Sequence, residues 1–92
     1  MDVNYDISAV TNISRDKLDF ISKDLKEFKK FYGYSYRKDK DTSRATLRFR
    51  LHIGDHDIHL QTQLVNDAME RLRNWLEGKY RIDILEITKQ RF

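Results

Sequence analysis

The feature that most constrains this chain is the run at 44–53, RATLRFRLHI, in which Ala45, Leu47, Phe49, Leu51 and Ile53 alternate with Thr46, Arg48, Arg50 and His52. A period of two belongs to an extended strand that buries one of its faces. Such a strand needs a cover over its apolar face, which places it in a sheet with one open side. The open side here carries arginines.

The flanking sequence supplies the partners. Val3, Tyr5, Ile7 and Ala9 alternate with Asn4, Asp6 and Ser8, predicting a first strand at about 2–9. Ser14 stands where a helix N-cap belongs, Asp16 falls in the first turn, and Leu18, Ile21, Leu25, Phe28 and Tyr32 follow at helical spacing, predicting a helix over 15–31. Gly33 closes that helix, and Tyr34 and Tyr36 open a short second strand that ends in the polar turn 38–43. After the third strand, a two-residue loop at Asp55 and His56 sets Ile53 opposite Ile58, His52 opposite His59 and Leu51 opposite Leu60. This register predicts a short extra strand over 57–61, the alternative being a direct turn into the next helix. Leu64, Ala68, Leu72, Trp75 and Leu76 mark one face of a second helix ending at Gly78, with Asp67 near its start and Arg71 and Arg73 near its end to suit the helix dipole. Residues 80–88 read as a last strand and 89–92 as a polar tail.

The expected order is β-α-β-β-(β)-α-β: an α+β, two-layer sandwich with two helices on one face of a mostly antiparallel sheet, ferredoxin-like or related. With the bracketed strand, residues 3–77 resemble in topology and spacing the β-α-β-β-β-α arrangement of the short ribosome-hibernation factors. The short second strand and the added last strand depart from that arrangement, so the resemblance carries over no functional residue. At 92 residues one domain over 1–92 is expected, with a core rich in its five Phe, five Tyr and single Trp.

Composition narrows the class of protein. There is no cysteine, so disulfides and thiolate metal sites are excluded. No apolar run approaches the roughly 20 residues of a membrane span and no secretory signal pattern opens the sequence, which together with the missing cysteines gives a cytoplasmic expectation. The 18 Lys and Arg against 15 Asp and Glu leave a formal charge of only +3, a mild bias. Its distribution is more telling: residues 37–50 hold six basic residues and two Asp.

The candidate site is therefore the open face of the third strand. Arg48 and Arg50 stand at its centre, with Arg37, Arg44 and His52 beside them and Lys26 and Lys30 as an outer rim. Arginine forks match phosphate oxygens, and a row repeating at about 7 Å along a strand suits a polyanion backbone. The competing structural reading pairs these arginines with Asp2, Asp6 or Asp83 across the sheet. The outward positions of the third strand lack the stacking aromatics of an RNA-recognition motif, which argues against sequence-specific single-strand reading. Tyr32, Tyr34 and Tyr36 would share one side of a strand beginning at Tyr32, where they could stack bases, although packing over the core edge with their hydroxyls reaching water is the expected role.

His52, His56 and His59, with Asp55 and Asp57, suggest a zinc shell by residue type, but their spacing matches no metal motif, and an exposed polar hairpin is the expected role. No metal and no cofactor is expected. Nor is an active site: the chain has no glycine-rich phosphate loop, no nucleophile elbow and no Cys nucleophile. These features give a non-catalytic protein that docks nucleic acid or a ribonucleoprotein. The alternative is a protein–protein interaction module, such as an inhibitor or adaptor encoded by a phage or other mobile element. Strict alternation of the last strand also sends Leu85 and Ile87 outward together, an interface expected to pair with a second copy or a partner protein.

Overall fold

In the computed structural model, which describes residues 3–25, 31–40, 43–54 and 57–91, the elements run β1 (Asn4–Thr11), α1 (Arg15–Asp24), β2 (Phe31–Lys38), β3 (Ala45–His52), α2 (Ile58–Tyr80) and β4 (Ile84–Arg91). The strands form a four-stranded antiparallel open sheet in the order β2-β3-β1-β4, which with the two helices makes an α+β arrangement consistent with a small two-layer sandwich. No helix among the described residues is long and apolar enough to cross a membrane.

The alternating run is realised as expected. β3 pairs with β1 over eight consecutive positions, from Asn4 opposite His52 to Thr11 opposite Ala45, without a shift in register. Ala45, Leu47, Phe49 and Leu51 are buried with Tyr5, Ile7 and Ala9 of β1. Leu18, Ile21 and Leu25 of α1 and Val65, Ala68, Leu72, Leu76 and Tyr80 of α2 join them in one core. Phe49 is its hub: fully buried, it meets Phe31 edge-on at 6.0 Å between ring centroids and Tyr34 at 5.3 Å. Buried rings of this size remove on the order of 150 to 250 Å² each from water, which is how so short a chain holds together.

The helices depart from expectation at three ends. α1 has Ser14 at its N-cap, where the serine carbonyl accepts from Lys17 N at 3.1 Å although the side chain makes no capping bond. It stops at Asp24 and Leu25, and the expected stretch around Lys26, Phe28 and Lys30 lies outside the described residues. Phe31 and Tyr32 are strand residues, so Gly33 sits within β2 and closes no helix.

The extra strand over 57–61 is corrected to helix, and with it goes the likeness to the β-α-β-β-β-α arrangement. Asp57 is the N-cap of α2: its Oδ1 accepts from Leu60 N at 3.0 Å and its carbonyl from Gln61 N at 2.9 Å. An aspartate cap followed by the buried series Gln61, Val65, Ala68, Leu72, Leu76 and Tyr80 satisfies a helix over its full length, and this outweighs four residues of alternation. Ile58 and Leu60, expected in the core, are exposed, and His59 is on the first turn of α2 and not beside His52.

At the other end α2 runs through the exposed Gly78, which costs about 1 kcal/mol relative to Ala, and stops at Arg81 in the left-handed region (φ 52°, ψ 46°). Tyr80 anchors the last turn. Its ring packs edge-on to Trp75 at 5.4 Å, its hydroxyl donates to Asp24 Oδ2 at 2.5 Å, and its carbonyl accepts from Lys17 Nζ at 2.6 Å. The Tyr80 hydroxyl and Lys79, 3.2 Å away, hold the Asp24 carboxyl below its ordinary range. The last strand consequently begins at Ile84, beyond the expected 80, and continues to Arg91 through what looked like a tail.

Both edge strands carry a register shift. In β4 it falls where Thr11 faces Ile84 and Val10 faces Glu86, leaving Leu85 as an extra residue. Alternation restarts after it, so Ile87 lies opposite Ala9, partly buried against the core, and only Leu85 is strongly exposed. The expected outward pair of Leu85 and Ile87 is thus corrected: an extra residue in an edge strand resets which face each later side chain occupies. In β2 the shift lies between Phe31 and Gly33.

Candidate functional site

The face of the sheet away from the helices is a grid set by the registers. One row runs Ser35, Arg48, Ser8, Thr88; the next Gly33, Arg50, Asp6, Gln90; and a third joins Arg37, Thr46, Val10 and Glu86. Successive rows are about 7 Å apart, two residues along a strand.

The two central arginines are not equivalent. Arg50 Nε donates to Asp6 Oδ1 at 3.2 Å, one of the expected acidic partners. Asp83 instead exchanges hydrogen bonds with Asn12, its Oδ2 accepting from Asn12 Nδ2 at 3.2 Å and its N–H donating to Asn12 Oδ1 at 3.0 Å. Asp2 is outside the described residues. Arg48 lies between the short side chains of Ser8 and Ser35, and among the described residues no carboxylate stands within ion-pair distance of it. Among the described residues nothing neutralises its charge, and its strand neighbours carry hydroxyl groups able to share an anionic oxygen.

The other expected site residues are spread around this centre. Arg37 is exposed on β2 in the Thr46 row. Arg44 is exposed just ahead of β3, where its carbonyl accepts from Asp39 N at 3.0 Å. His52 is on the open face, its Nδ1 3.3 Å from Asn4 Oδ1. Lys26 and Lys30 are among the residues not described, as is His56.

Tyrosines occupy both sides of the sheet, against the expectation that all three share one. Tyr34 and Tyr36 lie opposite Phe49 and Leu47 on the helix side. The Tyr34 hydroxyl donates to the Leu18 carbonyl at 3.3 Å, and burial, with Tyr36 and Asp19 adding to it, pushes its phenol above the usual range. The register shift turns Tyr32 to the open face, where its hydroxyl donates to Asn4 Oδ1 at 3.1 Å. Gly33, next to it, has close quarters on the Arg50 side: a Cβ there would stand 3.2 Å from Arg50 Cβ and 3.8 Å from its Cδ. A depression of about 340 Å³ is lined there by Tyr32, Gly33, Ser35, Arg48, Arg50 and Asp6.

No protein-family model matches the chain, and no curated protein matches it. The site must be argued from its own chemistry.

Three of its members were not singled out from sequence: Gly33 as a lining residue of the depression, and Ser8 and Ser35 as the flanks of Arg48. The serines become neighbours only once the register is known. A signal for Gly33 was present, since a glycine within a strand pattern marks a bulge or a close backbone approach.

Proposed function

We propose that this protein is a small, non-catalytic binding protein that docks nucleic acid, free or within a ribonucleoprotein, through the open face of its sheet. The observation that carries the reading is Arg48, a cation flanked by two serines and unopposed among the described residues, in the middle of an antiparallel sheet. Arg37 lies one row further along and Arg50 one row the other way, so positive charge follows the strand direction in the manner a phosphate backbone requires. His52 and Arg44 extend this surface, and Lys26 and Lys30 are assigned to its rim by sequence. The reading includes a ferredoxin-like sandwich working in the cytoplasm without metal or cofactor; the strand order β2-β3-β1-β4 supports that fold assignment.

Titration of random RNA and DNA with the protein at low and at physiological salt tests it. Binding should weaken steeply as salt rises, because phosphate contacts release counterions. Arg48→Glu combined with Arg50→Glu should abolish it in a chain that remains folded, since both positions are exposed. Undiminished binding by the folded double variant removes the reading.

One observation favours a second reading, a protein–protein module of the inhibitor or adaptor kind. Leu85 is 52% exposed on the edge strand β4, where a partner protein or a second copy would cover it. Partner binding that is insensitive to salt and lost with Leu85→Lys would select this reading over the first.

A further inference from the structure

Resting on the nucleic-acid reading, we infer that the ligand is single-stranded, with one base stacked on Tyr32 and a neighbouring phosphate held by Arg48 across the depression above Gly33. The hydroxyl of Tyr32 is held away from its own strand. It reaches Asn4, which belongs to β1, whereas Tyr32 belongs to β2, and β3 lies between them. Neighbouring strands are about 4.8 Å apart, so the ring must extend across β3 for its hydroxyl to arrive there. The bond orients the ring over the open face beside His52, which shares Asn4 Oδ1, yet Tyr32 is 54% exposed, and no Phe, Tyr or Trp ring among the described residues packs on it. An exposed aromatic ring held to a sheet by its hydroxyl is a stacking platform, and the bond to Asn4 lowers the cost of ordering it.

The rest of the geometry fits one nucleotide step. Tyr32 and Arg48 border the same depression, and Gly33, which has no side chain to fill it, lines it too. Arg50, drawn toward Asp6, borders the space without competing for the phosphate as Arg48 does. Ser8 and Ser35 stand beside Arg48 as hydroxyl donors for the same oxygen atoms. Bases within a duplex have their faces covered by their neighbours, so Tyr32 has nothing to offer a duplex. Stacking is also tolerant of base identity, because every base has a π-face. The structure thus suits a single strand bound with little sequence preference.

Fluorescence anisotropy with labelled oligouridylate, oligothymidylate and a duplex of equal length distinguishes the outcomes. Tyr32→Ala should weaken binding of both single strands by about 5- to 150-fold, the range for one stacked base, and leave duplex binding unchanged. Tyr32→Phe, which keeps the ring and removes the bond to Asn4, should retain most of the single-strand affinity. Arg48→Glu should weaken every polyanion. If folded Tyr32→Ala, checked by circular dichroism, binds single strands as the parent does while Arg48→Glu fails to bind, the phosphate surface stands and the stacking inference is overturned. If the parent prefers the duplex, the inference is likewise overturned. If no oligonucleotide binds at low salt, both readings fall.

Discussion

The central pair of strands and the two edge strands follow different rules. β1 and β3 each have a neighbour on both sides, and their eight-residue register contains no irregularity. β2 and β4 are each paired on one side only, and each contains a shift. A central strand that slipped would break hydrogen bonds to two neighbours and turn its apolar set toward water. An edge strand has a free side into which an extra residue can be pushed, and the shift also discourages pairing with other chains. The lesson is that the centre of this sheet supplies stability and holds the arginine row in place, while the shifts at its edges decide which face Tyr32 and Ile87 occupy.

The largest effect that would sharpen this contrast is at Phe49. Phe49→Ala should cost about 3 to 5 kcal/mol by opening a cavity at the hub of the core, whereas Ile87→Ala, partly buried on the edge, should cost about half as much or less. Urea denaturation of the two variants measures both, and equal losses would break the distinction between centre and edge. Next in size is Gly33→Val. New side-chain atoms beside Arg50 should cost about 1 kcal/mol by crowding and fill the depression, reducing oligonucleotide affinity in a chain that still folds. Unaltered affinity would show that the bare backbone there is incidental. The smallest effect belongs to Leu85→Lys. As the extra, exposed residue of the β4 shift it should change the unfolding free energy by less than about 0.5 kcal/mol, a value that thermal melts would bound.

The same division explains what could be read from the residues alone. The alternation of Arg48 and Arg50 against Leu47, Phe49 and Leu51 was legible because β3 is central and regular, and so was the basic character of the open face. Helix faces were legible in Leu18, Ile21, Leu72 and Leu76, which share the core. Strand alternation misled where local capping chemistry won, as at Asp57, and where an edge shift intervened, as at Tyr32 and Ile87. A shift of this kind depends on the partner strand, which a window of sequence does not contain. That Arg50 would be engaged by Asp6 and Arg48 left between serines required the pairings of β3 with β1 and β2, which place Asp6 beside Arg50 and both Ser8 and Ser35 beside Arg48.

These pairings have a kinetic side. The β2–β3 hairpin closes a short loop, but β1 must be captured by β3 across α1 and β2, and β4 joins β1 with Tyr5 opposite Arg91, at opposite ends of the described fold. Loop-closure entropy is spent on these distant contacts before they return any stabilisation, so folding should be slow for a domain of this size, with β4 docking late. Until it docks, the outer edge of β1 is a bare strand with Tyr5, Ile7 and Ala9 on one side. The last strand therefore acts as a seal, and a chain that loses its hold on β4 is exposed to aggregation through the strand that otherwise lies inside the sheet.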